Sequence, residues 1–346
     1  MTKKSLILAA ALAASLAILS ACAPKEQLPP FVMPQAEEAF ARFEAWKGSD
    51  EAIVFPILTD VHAQERETYK HVGYIAATDA VFHYDFMLSL GDIGLNLGLS
   101  GRSKAHSDTI KMFTRDEMDK FDGVFLYGAG NHDWDAGEGE FHTSQYLSDL
   151  FQKPALERAH GNLHLVPGKV YCWYDIPEKN FRIIVLNSEG TETQGGTYYI
   201  YDQEQFSWLR NLLDGTPADM NVLIASHYMP HPNGRWHNTP EPYTFESNCK
   251  MMDLLAEYKA TRNIIGLFAG DSHFNMHEVD RGVNYYVTQS YGICSDEQLM
   301  PGTRHAVYDY NETLCCDIIA VKPSARQVHT FRMGAGGAEF DYEFGY

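Results

Sequence analysis

Five short apolar runs in this chain are each followed by residues that can bind metal ions. The runs are rich in β-branched residues, aromatics and leucine, and they are Ile53–Leu58, Phe86–Leu90, Val124–Tyr127, Val222–Ala225 and Ile264–Phe268. Amphipathic helical stretches separate them, a pattern typical of buried parallel strands in an α/β sheet. Ligands bind beyond the carboxyl ends of such strands. We therefore expect the polar residues to meet in one crevice.

The polar residues after these runs are aspartate, histidine and asparagine. They are Asp60, His62, Asp92, Asn131, His132, Asp133, His227, Asp271 and His273. Carboxylate, imidazole and amide groups suit hard to borderline divalent metals better than soft ones. One Asp or His at a strand end is usually a cap or a surface residue, but five such runs in series favour a hydrolytic metal site. Two ions about 3.5–4 Å apart can clamp the attacking and leaving oxygens, and Asp92 after Gly91 is suited to bridge them.

The series DxH, GD, GNHD, SH and GDxH resembles the calcineurin-like metallophosphoesterases between Ile53 and His273. The resemblance implies an α/β fold of the four-layer αββα sandwich type. It assigns the first metal ion to Asp60, His62, Asp92 and His273. It assigns the second ion to Asp92, Asn131, His227 and Asp271. It further implies a hydroxide that bridges the two ions, with His132 as the general acid and Asp133 orienting it.

Two positions depart from the family pattern. Asp271 stands where the family has the first histidine of its GHxH motif. Leu95 stands where the purple acid phosphatases, a branch of the family, carry a tyrosine three residues after the bridging aspartate. A tyrosinate-bound ferric ion is therefore not expected. The sequence leaves two divalent ions, drawn from Mn, Fe, Zn or Mg.

The first 21 residues have the pattern of a bacterial lipoprotein signal peptide. Lys3 and Lys4 precede the apolar stretch Ser5–Leu19, which ends in Leu19-Ser20-Ala21-Cys22. That stretch is shorter than the about 20 residues of a membrane span. Cleavage would leave Cys22 as the acylated first residue. The sequence thus predicts a lipid-anchored, extracytoplasmic protein of the bacterial cell envelope; an ordinary signal peptide with an incidental cysteine is the alternative.

Residues 22–50 are expected to be a lipid-anchored tether followed by a short helix, and residues 51–346 the metallophosphoesterase domain. The tether is rich in proline between Ala23 and Pro34. The helix predicted over Gln35–Trp46 presents Phe40, Phe43 and Trp46, which we expect to dock it onto the domain. The domain is long enough to bury a large core.

Charge excludes one class of partner. The chain has 27 Lys plus Arg against 46 Asp plus Glu. Nucleic-acid binding is not expected, because basic surfaces carry that function. A phosphorylated small molecule remains possible as a substrate, since bound metal ions supply local positive charge. The membrane is the other expected partner, through the lipid anchor.

The segment Tyr228–Pro242 after His227 is the candidate substrate loop. His231 and Arg235 could contact a phosphate there, although a plain surface loop explains the composition equally well. Two functions remain open from the sequence. One is a hydrolase of phosphomonoesters or phosphodiesters. The other is a weakly active or inactive binding or scaffold protein that retains the fold, which the departure at Asp271 allows.

Overall fold

The computed structural model describes residues 27–62, 66–93, 103–188, 201–234, 242–289, 309 and 311–346, of which Phe31–Tyr346 belong to one compact unit. The strands, in chain order, are β1 Ile53–Leu58, β2 Met87–Ser89, β3 Phe125–Tyr127, β4 Asp135–Gly137, β5 Glu140–Phe141, β6 Leu163–Leu165, β7 Cys172–Ile176, β8 Phe181–Val185, β9 Asn221–Ser226, β10 Asn263–Ala269, β11 Met276–Asp280, β12 Val283–Val287, β13 Cys315–Lys322, β14 Gln327–Gly334 and β15 Tyr342–Gly345.

Helices connect these strands. They are α1 Val32–Lys47, α2 Arg66–Ala77, α3 Asp79–Phe82, α4 Lys104–Met118, α5 Ser144–Leu147, α6 Ala155–Arg158, α7 Gln203–Asp214 and α8 Pro242–Lys259, with a π-helical turn at Ser148–Gln152 and 3₁₀ turns at Pro177–Lys179, Pro232–Gly234 and Gly337–Phe340. No helix among the described residues is both long and apolar enough to cross a membrane.

The first sheet has the order β15-β14-β13-β1-β2-β3. Strands β1, β2 and β3 are parallel, and β13 pairs with β1 in the antiparallel direction. Side chains of β1 alternate between two cores, as the period of a strand requires. Phe55 and Ile57 belong to a core shared with the second sheet, whereas Val54 and Leu58 belong to a core shared with helices.

The second sheet has the order β11-β12-β10-β9-β8-β7-β6. Its strands β8, β9, β10 and β12 are parallel. Strands β9 and β10 are buried along almost their whole length. Both faces of this sheet are covered by other layers, and strands in that position are apolar throughout.

Three apolar cores define the layers. One core lies between the two sheets and includes Phe55, Leu126 and Leu223. A second joins the first sheet to α1, α2 and α4, and a third joins the second sheet to α7 and α8. The molecule is therefore a four-layer αββα sandwich, and the predicted fold class is confirmed.

The predicted N-terminal helix exists and packs on the first sheet. Phe40 and Phe43 contact the core of that sheet, and Phe43 lies with its ring centroid 5.9 Å from that of Phe331. This helix, α1, belongs to the same compact unit as the rest of the described domain. The predicted signal peptide, Cys22 and the first part of the tether lie outside the described residues.

Candidate metal centre

The predicted ligands come from the carboxyl ends of strands in both sheets. The first sheet supplies Asp60 and His62 after β1, Asp92 after β2, and Asn131 and His132 after β3; the second supplies His227 after β9, and Asp271 and His273 after β10. Ligand atoms of six of these residues, which do not include Asn131 or Asp271, gather in three overlapping groups, within each of which they lie within 4.8 Å of one another. The groups are Asp60, His62 and His273; His62, Asp92 and His132; and Asp60, Asp92 and His227.

The first position lies between Asp60, His62 and His273. The Nε2 atom of His273 is 3.1 Å from Oδ1 of Asp60 and 3.4 Å from Nε2 of His62. The Nε2 atom of His62 is 3.8 Å from Oδ2 of Asp92. Ligands that hold a metal ion at about 2.0–2.2 Å are separated from one another by roughly 3–3.5 Å. The two distances from His273 match this spacing, and the distance from His62 to Asp92 is slightly longer.

The second position is centred on His227. Its Nε2 atom is 3.2 Å from Oδ1 of Asn131, 3.4 Å from Oδ2 of Asp92 and 3.6 Å from Oδ1 of Asp271. Asp92 thus faces both positions, as a bridging carboxylate must. Asp271 is brought to the place that the resemblance assigned to it, although its chemistry differs from the usual imidazole.

Two hydrogen-bonding features test whether these residues fit metal ions. Nδ1 of His227 lies 2.9 Å from the carbonyl oxygen of Leu90 and donates to it, which turns Nε2 toward the centre. Metal-binding histidines are commonly oriented in this way. The Oδ2 atom of Asp271 is buried and has no hydrogen-bond partner. A buried carboxylate oxygen is costly to leave unpaired, so both features fit metal binding.

The backbone is strained at the same positions. Asp60, Asp92 and Asp271 have φ of 53°, 53° and 62°, and His62 and His273 have φ of 46° and 57°. Such left-handed conformations in residues other than glycine cost about 1–3 kcal/mol each and cluster at functional sites. The segments Asp60–His62 and Asp271–His273 share both the D-x-H sequence and this conformation. Asp271 thus makes the second turn a copy of the first.

The two D-x-H turns pack directly against each other. The N–H of Asp271 donates to Oδ2 of Asp60 at 3.0 Å, and Oγ1 of Thr59 donates to the same oxygen at 2.6 Å. A Cβ atom at Gly270 would lie 1.9 Å from Oγ1 of Thr59. Gly270 is therefore required by close approach. Thr59 was not predicted, because nothing in the sequence distinguishes it from any strand-end threonine.

The pKa values of the side chains at the centre are shifted by burial and by neighbouring charges. Burial favours the neutral form of Asp92, yet His227, His132 and His62 hold its pKa far below the usual range. Burial likewise favours neutral His227, but Asp92, Asp271 and Asp60 raise its pKa well above the usual value. His62 differs, because burial lowers its pKa to about 4. A centre with three buried carboxylates is suited to bind cations.

His132 stands at the edge of this centre. Its Nε2 atom is 3.7 Å from Oδ2 of Asp92, and its side chain is 20% exposed, whereas His227 is fully buried. The Oδ2 atom of Asp133 accepts the N–H groups of Asp92 and Gly130, at 2.9 Å each. Asp133 therefore positions the two turns that carry Asp92 and Asn131. Its expected role in orienting His132 stays a prediction.

The candidate substrate residues are only partly described. His231 is half-buried, and its ring centroid lies 5.2 Å from that of Tyr285 on the second sheet. Arg235 lies outside the described residues. Gly234, in the same segment, is linked to the turn after β10, because its carbonyl oxygen accepts a hydrogen bond from Oγ of Ser272.

Comparison with known proteins supports the fold. No protein-family profile and no curated protein matches the sequence. Among solved structures, the chain is similar to a dimetal phosphatase from Danio rerio, with a TM-score of 0.62 and 14% identity over 85% of this chain and 99% of that one. The chain also resembles a purple acid phosphatase from yellow lupin seeds, with a TM-score of 0.52 and 12% identity over 86% of this chain and 54% of that one.

A third similar structure is GAP50 of Plasmodium, which is described as the anchor in the inner membrane complex. The TM-score is 0.51, with 11% identity over 85% of this chain and 88% of that one. At such identities the likeness concerns the fold. This chain has the calcineurin-like metallophosphoesterase fold, as its sequence motifs predicted.

Proposed function

We propose that this protein is a metal-dependent hydrolase of phosphoesters with two divalent ions at its centre. The main support is the arrangement around His227, whose Nε2 atom lies 3.2–3.6 Å from side-chain oxygens of Asn131, Asp92 and Asp271. Asp60, His62, Asp92 and His273 would hold the first ion, and Asp92, Asn131, His227 and Asp271 the second. When bound, such a pair supplies an activated water and neutralises charge on the phosphoryl group.

The protein side chains have separate tasks in this proposal. Three histidines lie near Asp92, namely His62, His132 and His227, and His132 is the most exposed of them. It can therefore reach the leaving oxygen of a bound ester and protonate it. Asp133 holds the turns that carry Asp92 and Asn131. His231 and Arg235 are proposed to contact the substrate. The substrate is a phosphomonoester or phosphodiester.

Turnover of aryl and alkyl esters tests the assignment of His132. Positioned proton transfer contributes typically about 10²–10⁴-fold. His132→Ala should therefore lose about that factor with alkyl phosphates, much less with p-nitrophenyl phosphate, and should keep both metal ions. An unchanged rate on alkyl esters would remove His132 from the mechanism. Bis-p-nitrophenyl phosphate in parallel ranks diesters against monoesters.

Metal analysis tests Asp271. Asp271→Ala should lose one of the two ions, because the substitution removes one of the four ligands at that position. Asp271→His should bind Zn²⁺ and phosphate more tightly, since imidazole suits Zn²⁺ and removes one negative charge. If Asp271→Ala retains two ions per chain and full activity, Asp271 is only a turn residue.

A second candidate is a binding or scaffold protein that keeps the fold. GAP50, described as an anchor, has a similar fold at a TM-score of 0.51, and Asp271 departs from the usual ligand. Two bound ions without turnover of any phosphoester would favour this candidate. The oriented Nε2 of His227 and the accessible His132 favour the hydrolase.

We also propose that the protein is lipid-anchored through Cys22 in the bacterial cell envelope. The support is the sequence Leu19-Ser20-Ala21-Cys22 after an apolar stretch. Cys22→Ser should no longer incorporate labelled fatty acid and should leave the membrane fraction. Retention of both label and membrane association in that variant would show the assignment to be wrong.

A further inference from the structure

Helix α4 carries a lysine that is completely buried. Lys111 is 0% exposed, as is Ser107, which lies one turn before it on the buried face of the helix. The Nζ atom of Lys111 donates to the carbonyl oxygen of Asp135 at 2.8 Å and to Oγ of Ser107 at 3.3 Å. Both of these acceptors are neutral. A lysine is almost never fully buried without a partner of opposite charge, so the charge of Lys111 requires a further explanation.

The carboxylate that acts most strongly on this lysine is Asp133. Burial lowers the pKa of the Lys111 ammonium, and the carboxylates of Asp133 and two neighbouring aspartates oppose that shift, with Asp133 the strongest of them. Asp133 is itself 0% exposed, and its Oδ2 atom accepts two backbone N–H groups. A buried ammonium and a buried carboxylate on adjacent elements attract each other even without direct contact. Lys111 thus places a positive charge close to the buried carboxylate of Asp133.

A series of hydrogen bonds joins Lys111 to the turn that carries His132. The carbonyl oxygen of Asp135, which Lys111 contacts, also accepts Oγ of Ser107 at 2.8 Å. The N–H of Asp135 donates to the carbonyl oxygen of His132 at 3.4 Å. The N–H of His132 in turn donates to Oδ1 of Asp92 at 2.8 Å. Two side chains of α4 therefore hold the residue that bonds to the backbone of His132, and a displacement of Asp135 would move the imidazole relative to the metal centre.

Packing alone could fix this segment without a buried charge. Trp134, between Asp133 and Asp135, is 0% exposed in the core that joins the first sheet to the helices. An apolar side chain at position 111 could extend that core, and it would avoid the desolvation of an ammonium group. The buried charge of Lys111 is therefore better explained by the position of the turn than by the stability of the fold.

We propose that Lys111 is a positioning residue, which holds the turn of His132 in place for proton transfer to the leaving oxygen. Ser107 assists it through the same carbonyl oxygen. The proposal rests on the proposed hydrolase function with His132 as the general acid. A misplacement of about 1 Å can cost on the order of 100-fold in rate. Even a small movement of this turn should therefore be measurable.

The dependence of turnover on the leaving group tests this role. A p-nitrophenolate anion leaves with little help from an acid, whereas an alkoxide needs a proton. The ratio of the rates on an alkyl phosphate and on p-nitrophenyl phosphate therefore reports on the position of His132 and not on the fraction of folded protein. We expect Lys111→Met to lower this ratio by at least about tenfold, with the metal content of the wild type. An unchanged ratio would overturn the proposal.

Lys322 provides a matched control. It is 6% exposed, and its Nζ atom donates to the carbonyl oxygen of Trp46 at 2.6 Å. It is the last residue of β13 and lies beside the start of β1, away from the strand end that precedes Asp60. Lys322→Met should therefore destabilise the protein but leave the ratio of alkyl to aryl turnover unchanged. An equal fall in both lysine variants would show that the effect is a general loosening of the fold, against the proposal.

Two other variants test the path from Lys111 to His132. In the His132→Ala background, Lys111→Met should cause no further fall in the ratio, because the acid is already absent. A further fall would show that Lys111 acts by another route. Ser107→Ala removes one donor to the carbonyl oxygen of Asp135 and should lower the ratio by roughly two- to tenfold, as expected for one hydrogen bond. If Lys111→Met does not fold, an unchanged ratio in Ser107→Ala overturns the proposal.

Hydrogen exchange separates this proposal from the proposed function. Deuterium uptake by the peptide that covers residues 130–135 should be clearly faster in Lys111→Met than in the wild type, and it should be unchanged in Lys322→Met. If the wild type hydrolyses no phosphoester, the hydrolase function fails, and the exchange still decides whether Lys111 holds the turn. If esters are turned over but both the exchange and the ratio match the wild type, the proposal for Lys111 is wrong and the hydrolase stands.

Discussion

Two groups of buried carboxylates in this protein are stabilised in opposite ways. Asp317 on β13 is fully buried beside the fully buried guanidinium of Arg332, with Nε 2.7 Å from Oδ1. Tyr286, Thr288 and Asn275 donate to its other oxygen at 2.5–3.0 Å. Burial alone would raise the pKa of Asp317, but Arg332, Thr288 and Tyr286 lower it. The chain supplies everything that this carboxylate needs.

The carboxylates of the metal centre lie among imidazoles instead of beside a guanidinium. Asp60, Asp92 and Asp271 are all buried or nearly so, and within the described part of the chain their recorded ion pairs are with histidines. Their backbones are left-handed, whereas Asp317 lies in a regular strand. A buried charge requires a partner. We infer that Asp317 is structural, and we propose that the carboxylates of the metal centre bind cations from outside the chain.

Removal of metal ions should give the largest effect. An ion present at a thousandfold excess over its Kd stabilises the folded state by about 4 kcal/mol, so two ions should contribute roughly twice that. Urea unfolding of the metal-loaded and chelator-treated protein measures the difference. Identical unfolding free energies would contradict the comparison, because the three carboxylates would then be satisfied by the chain alone.

Arg332→Met should destabilise the protein by about 3–5 kcal/mol, since it leaves Asp317 as an uncompensated buried charge. The same urea experiment measures the loss, which we expect with and without metal ions. The double variant Asp317→Asn with Arg332→Met is the control, and it should recover most of the stability. If added metal ions restored the single variant, the two groups would not be independent.

His71 on α2 represents a third case, a buried group that stays neutral. Burial lowers its pKa to about 4. The unfolded chain therefore binds a proton first as pH falls below about 6.5, and the folded state loses stability between pH 6.5 and 4, by on the order of 3 kcal/mol. Unfolding free energies across this range should show a shallower slope for His71→Leu. An unchanged slope would assign the acid sensitivity to other groups.

Asp271→Asn should give the smallest effect and the sharpest test. Without metal ions the substitution removes one of three neighbouring negative charges, so the protein should become more stable by about 1 kcal/mol. With metal ions it should become less stable, because an amide is a weaker ligand. The change of sign is measured by unfolding with and without chelator. The same sign under both conditions would contradict a role for Asp271 as a ligand.

Much of the fold and of the centre was predictable because it is encoded locally. The predicted strand Ile53–Leu58 is observed with the same bounds, and the other ligand-bearing strands differ by a residue or so at each end. The short strands β4, β5, β6, β11 and β15 were not predicted. They are edge strands of few residues, and so short a run shows too little alternation of apolar and polar residues to predict a strand.

The sequence by itself determined the ligand types, their order and the strand ends that they follow. The spacing of apolar residues and the glycines in the turns depend only on residues that are neighbours in the chain. Only the tertiary structure decided which atoms meet. The contact of Asp271 with Asp60 depends on how the two sheets pack, and that of Asp271 with His227 depends on the pairing of β9 with β10. Packing joins residues more than a hundred positions apart, and no local pattern encodes the distance between them.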